Sequence, residues 1–224
     1  MTVLPLIIIS YILIVVFLGM FIYKTRKMAK LPIHLRWELS PVPHEKGKSQ
    51  YGGSYLEEYD WWTKKREKSL IDEVLYMSKE IFFLKGVFEN NKKLWYLSFP
   101  FHFGMYVLAC AAVLTFVLAV FPTTFLPLDV GITGAVIETL AVVGFIIGGI
   151  GTLGLIIRRL FDPNLKNYTT GGAVFNLFFL LALFLSGLAS ILMAPNFYGE
   201  MNYYAQSLIF ANTTGTISGV VSLH

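Results

Sequence analysis

Four apolar runs decide what this chain can become: Val3–Tyr23, Leu97–Phe121, Ile132–Ile157 and Ala173–Ala194. Each holds about 20 residues or more, enough for a helix to cross a hydrocarbon core of roughly 30 Å. Within that core a backbone can satisfy its own polar groups only as a helix or a closed barrel, and runs of this length select the helix. Only 14% of the 224 residues are charged, against about a quarter in a soluble domain. The expected fold is therefore an all-α integral membrane protein. It has four transmembrane helices, over about 1–23, 97–121, 132–157 and 173–194. A partial or reduced fifth is expected over 207–224, a stretch that is uncharged and rich in Thr, Ser and Gly.

The first run reads as an anchor rather than a cleavable signal. No positive residue precedes it, it is long for a signal core, and "YKTRKMAK" follows it directly in place of a cleavage site. All 18 Lys and Arg fall in two places, fifteen between Lys24 and Lys93 and three in Arg158–Lys166. By the positive-inside rule both segments are cytoplasmic and the N-terminus lies outside. Segment 195–206 is then an extracytoplasmic connection, its tyrosines at the interface.

The cytoplasmic segment 24–95 is too long for a simple connector. Its first half is rich in Pro and Gly, yet it carries Trp37, Trp61 and Trp62, which a disordered linker would place poorly. Its second half has helical periodicity. Leu70, Val74, Met77, Ile81, Leu84 and Phe88 form one ridge, Ile71, Leu75, Ser78 and Phe82 the next, and Asp72, Glu73, Lys79 and Glu80 lie largely opposite. This predicts an amphipathic helix over about 69–90, capped by Ser69. Such a helix lies on the membrane surface or receives a cytoplasmic subunit, and the two are compatible. Trp37, Trp61, Trp62, Phe82 and Phe88 are the candidate docking residues. The segment mixes fifteen basic with ten acidic residues, which suits a protein surface better than a polybasic lipid patch, and nothing indicates nucleic acid.

The one cysteine, Cys110, lies inside an apolar run, so neither an iron–sulfur cluster nor covalent haem attachment is available to this chain. No metal set other than a haem iron is indicated, and no nucleophile–base cluster suggests a catalytic residue. The ionisable groups within the runs are Glu138 and His102, and such groups default to a functional hypothesis. Glu138 snorkels or bonds a neighbouring helix in the favoured reading, with proton transfer or quinone contact as the alternative. His102, on the order of 8 Å inside its helix at ~1.5 Å per residue, is a haem ligand, a proton carrier or a packing residue. A b-type haem needs a second imidazole at matching depth. His34 and His44 lie in the loop and His224 ends the sequence. A helix beginning near residue 206 would bring His224 to the depth of His102, and one placed differently would not. Gly144, Gly148 and Gly151 share a face that lets a backbone or a flat macrocycle approach closely, helix packing being the favoured reading.

Two motifs add a resemblance. "PFHFG" at 100–104 resembles the opening of the second helix in the gamma subunit of respiratory nitrate reductase, a di-haem cytochrome b anchor, and "RRLFDPNLKNYTTGG" at 158–172 resembles that family's loop and fourth-helix start. "LPIHLRWELSPVPHEKGK", "YGGSYLEEYDWW" and "FLKGVFENNKKLWYLSFPFHFG" resemble a branch from sulfate-reducing bacteria, that of the high-molecular-weight cytochrome c complexes. The resemblance implies five helices and two b haems, each family haem held by paired histidines of the second and fifth helices. His102 matches the inner histidine of the second helix. Its expected companion ten residues on is Ala112, and His224 looks like the outer histidine of the fifth helix. The two-haem pattern is thus incomplete. His102 and His224 share one rearranged site, another subunit supplies a ligand, or haem is absent.

The implied cofactors are none or one b haem, with menaquinone as a redox partner. The implied protein partners are a cytoplasmic heterodisulfide-reductase-like iron–sulfur subunit, a polysulfide-reductase-like membrane subunit, and periplasmic iron–sulfur and multihaem cytochrome c subunits. Two other classes remain as alternatives. A haem-free scaffold keeps the fold without the cofactor. A small transporter or channel would need internal repeats and midplane polar groups, and neither is visible.

Overall fold

The computed structural model describes residues 2–31, 58–64, 69–121, 130–166 and 168–222. Trp37, His34, His44, His224 and most of the Pro/Gly-rich half of the loop lie outside the described residues. The chain forms two compact units, residues 1–20 with 93–224, and residues 21–92. The fold is all-α. Helices α1 (Val3–Ala29), α4 (Lys92–Val120), α5 (Val130–Phe161) and α7 (Gly171–Met193) are each long and apolar enough to cross a membrane. Short helices α2 (Leu70–Phe83), α3 (Lys85–Asn90), α6 (Pro163–Lys166), α8 (Phe197–Phe210) and α9 (Gly219–Ser222) complete the described structure.

The core of the larger unit depends on missing side chains. A Cβ on Gly104 of α4 would lie 2.6 Å from the Gly148 Cα and 2.7 Å from the Gly144 carbonyl oxygen of α5. Gly151 meets the backbone at Phe101, and Gly154 meets the Leu97 side chain. The two helices therefore run antiparallel with their backbones nearly touching, the small-residue packing that lipid favours. On its other side α5 meets α7. Phe184, 1% exposed, lies over Gly148 and packs with Ala141 and Phe145. Helix packing is thus the role of the Gly144, Gly148 and Gly151 face. Buried hydroxyls are satisfied within their own helices. Thr115 donates to the Ala111 carbonyl at 2.9 Å, Thr152 to Gly148 at 2.7 Å, and Ser207 to Tyr203 at 2.8 Å. None needs water, which the hydrocarbon cannot supply.

The stretch read as a connection at 195–206 is helical. Asn196 caps α8 by accepting the Gly199 N–H at 3.1 Å. The expected fifth segment is reduced. Ala211 adopts a left-handed conformation, φ 51°, and ends α8. The following backbone pairs Thr216 with Thr2 in an antiparallel bridge, and the Gly215 carbonyl accepts the Val3 N–H at 3.1 Å. Glu200 accepts the Ser218 N–H at 2.9 Å. Val3 and Ile7 of α1 are buried with Ala194, Phe197, Ile217 and Val221. Ser10 is hydrogen-bonded to the Tyr204 hydroxyl, and the Tyr11 hydroxyl donates to the Leu208 carbonyl. Beyond Ile7, α1 leaves most of its apolar side chains exposed, as a helix bathed in lipid or partner helices does.

In the smaller unit Ser69 caps α2 as expected, accepting the Asp72 N–H at 3.4 Å. The single amphipathic helix over 69–90 is instead two. Leu84 sits in the left-handed region, φ 50°, between α2 and α3. The Glu80 carboxylate accepts the Gly86 N–H at 2.9 Å, so a side chain of α2 replaces the helical acceptor that the break removes.

The glycine contact gives a paired test. Gly104→Ala forces α4 and α5 apart and costs about 1–3 kcal/mol, whereas a Cβ on Gly172 meets nothing within 4 Å. Thermal unfolding in detergent should show a clear loss for the first substitution and none for Gly172→Ala.

Candidate functional site

His102 is held by the turn below it. Its Nδ1 lies 2.8 Å from the Ser98 carbonyl oxygen and 3.4 Å from the Ser98 hydroxyl. A carbonyl only accepts, so Nδ1 carries the proton, and Nε2 is left with the lone pair that a metal takes. The ring is half-buried. It meets Phe101 edge-on, centroids 5.0 Å apart, with the Tyr106 ring at 6.4 Å. Phe101 in turn stands edge-on to Phe184, which fixes the orientation of this part of α4 against the core. Backbone support of Nδ1 is the usual way a ligating histidine is oriented.

One turn along α4 from His102 a cavity of about 380 Å³ begins. Met105, Ala109, Ala112 and Thr115 of α4 form one wall, Ile137, Ala141 and Phe145 of α5 another, and Tyr198 and Met201 of α8 the far end. Ala112 is the position where the resemblance expects a second histidine. The small side chain there leaves open space where an imidazole would stand. The α4–α5 seam itself is closed to a flat macrocycle, because Gly104 and Gly148 already touch. A haem at His102 would have to lie on the flank of α4 away from that seam.

Glu138 sits at the α8 end of this cavity wall and accepts the Tyr198 N–H at 2.9 Å. It bonds a neighbouring helix, one of the roles its sequence position left open, and so satisfies an N–H group in the first turn of α8. Burial pushes the Tyr198 phenol above its ordinary value, so the group stays neutral through the physiological range.

Haem is tested by its ligands. His102 presents a suitable nitrogen for one axial position. Among the described residues it is the sole histidine, and no cluster of three or more His, Cys, Asp or Glu is present. The described chain near its end stays with α7's last residues. Val221 packs with Ala194, ten residues, or roughly 15 Å, along α7 from Phe184, which faces Phe101. A single continuous helix from residue 206 down to the depth of His102 does not form, because α8 stops at Phe210.

The docking residues within the smaller unit are accessible. Trp62 is 66% exposed and stands edge-on to the half-buried Trp61 in a short 3-10 turn. Phe82 and Phe88 are 52% and 41% exposed, and the Lys92 ammonium lies 5.3 Å over the Phe88 ring. The cavity and the identity of Glu138's partner were missed from sequence. Alanines at 109, 111 and 112, one turn past the histidine, were the available signal for the cavity.

The Glu138 bond is testable. Glu138→Ala leaves the Tyr198 N–H without an acceptor and should cost about 1–2 kcal/mol. Glu138→Gln keeps an acceptor and should cost less. Thermal unfolding, with amide exchange at Tyr198, separates the two.

The family model described as nitrate reductase gamma subunit matches residues 86–223, more than half of the chain. No curated protein and no solved structure matches it.

Proposed function

Because this chain belongs to the nitrate reductase gamma subunit family, we propose that it is the membrane subunit of a transmembrane respiratory redox complex. In this reading it supports electron transfer between periplasmic multihaem cytochrome c and a cytoplasmic iron–sulfur subunit, with menaquinone as a redox partner. The complex is of the high-molecular-weight cytochrome c kind. Its other members are a polysulfide-reductase-like membrane subunit and a periplasmic iron–sulfur subunit. The membrane is the bacterial inner membrane, the N-terminus is periplasmic, and the two basic segments face the cytoplasm.

One observation carries the electron-transfer reading. The Ser98 carbonyl fixes the His102 tautomer with Nε2 as the free nitrogen. When bound, a b haem supplies one-electron chemistry. His102 would hold the group, with the aromatic rings of Phe101 and Tyr106 restraining its imidazole. The second ligand would come from His224, outside the described residues, or from another subunit.

A second reading is a haem-free anchor. The specific observation in its favour is Ala112, which replaces an expected ligand and opens the cavity. In both readings the exposed rings of Trp62, Phe82 and Phe88, with the half-buried Trp61, form the face that receives the cytoplasmic subunit, and Trp37 belongs to the same segment.

A reduced-minus-oxidised spectrum with haem extraction, on the complex purified from membranes, distinguishes the readings. The cytochrome reading expects one haem per copy of this chain, and His102→Ala abolishes it while the subunits still co-purify. Zero haem in the native subunit sinks that reading and leaves the anchor. For the docking face, Phe82→Asp should lower recovery of the iron–sulfur subunit several-fold at unchanged membrane level of this chain.

A further inference from the structure

A second cavity lies where α5 ends and α7 begins. It encloses about 320 Å³ between Leu94, Leu155, Arg158, Arg159, Leu165 and Asn176. Two guanidinium groups on an otherwise apolar wall are costly at the end of a membrane helix unless an anion meets them. The Arg158 Nη1 atom is shut off from solvent and has no hydrogen-bond partner among the described residues. Its Nε faces Asp162 at 3.7 Å, an ion pair longer than a hydrogen bond. The Arg159 carbonyl is bridged by the Thr169 hydroxyl at 3.5 Å, which ties the loop down around the cavity. With Arg158, Arg159 and Asp162 counted together, the lining keeps a net charge of +1.

We propose that this cavity binds the phosphate of an anionic glycerophospholipid. The Arg158 and Arg159 side chains, which both line the cavity, take the phosphate oxygens, a geometry guanidinium forks match well. Asn176 donates from α7. Leu94, Leu155 and Leu165 line the path of the acyl chains. Position supports a lipid over a soluble anion, since the ends of spanning helices lie at headgroup depth and basic pockets between such helices suit lipid head groups. A volume of this size is that of a small-ligand site and leaves room for a glycerophosphate with the first carbons of its chains.

The test uses the full chain in detergent, stripped of lipid and then titrated with phosphatidylglycerol or phosphatidylcholine under native mass spectrometry. Phosphatidylglycerol should be retained in preference, and Arg158→Gln or Arg159→Gln should weaken its retention about tenfold, the loss of one charge-assisted hydrogen bond. Arg158→Lys keeps the charge but not the fork and should fall between. Asp162→Asn frees the Arg158 Nε and should tighten binding, so the proposal stays testable if the arginine variants fold poorly. Equal retention of the two lipids, or arginine variants that hold phosphatidylglycerol like the native chain, overturns it. Inorganic phosphate that displaces the lipid at comparable concentration overturns it in favour of a free-anion site. Haem content measured alongside gives the last arm: loss of haem in Arg158→Gln with lipid retention unchanged overturns it in favour of a haem carboxylate.

Discussion

The contact between Gly104 and Gly148 sets the rest of the larger unit. In lipid no hydrophobic force drives helices together, so packing must come from close backbone approach. Once α4 and α5 touch at these residues, Phe101 is fixed against Gly151 and Leu97 against Gly154. Phe101 then meets Phe184, which closes α7 onto the pair. The next residue after Phe101 is His102. Its ring therefore stands on a part of α4 whose rotation and depth are already determined, and the Ser98 carbonyl needs only to choose the tautomer. The same seam denies a flat macrocycle the space between α4 and α5.

Polar satisfaction orders the periphery in a similar way. Hydroxyls in the core turn back on their own helices, while the carboxylates of Glu138 and Glu200 reach across to N–H groups of other segments. Each carboxylate serves as a local substitute for the water that hydrocarbon excludes. Arg158 Nη1 departs from this rule among the described residues; the cavity lined by Arg158 and Arg159, rather than the larger apolar one, carries a ligand argument because two cations face it.

Much of this was legible in the sequence, for physical reasons that also mark the boundary. Spans are written in local composition, and α4, α5 and α7 begin and end within a few residues of the apolar runs. α1 continues past Tyr23 to Ala29 because Lys and Arg side chains extend to the interface and do not break a helix. Ser69 was readable as a cap because capping is local. The break at Leu84 was not, since a leucine gives no turn signal and the conformation is held by Glu80 reaching Gly86. Helix α8 escaped because its anchors, Glu138 and Ser218, are distant in sequence. His102 was legible as a residue type in an unusual place. Its tautomer, and the cavity beside it, required the positions of a carbonyl and of three helices.

The bridge between Thr2 and Thr216 has a consequence for biogenesis. The residues that secure the start of α1, from Ala194 to Val221, leave the ribosome long after α1 itself. In that interval α1 must persist as an independently inserted helix, stable through its own hydropathy alone. Its docking is a late, non-local step, slow in the way that contacts between distant parts of a chain are slow. Until that step closes, its apolar surface is available to the helices of neighbouring proteins, so assembly with other membrane subunits and completion of this fold compete for the same helix.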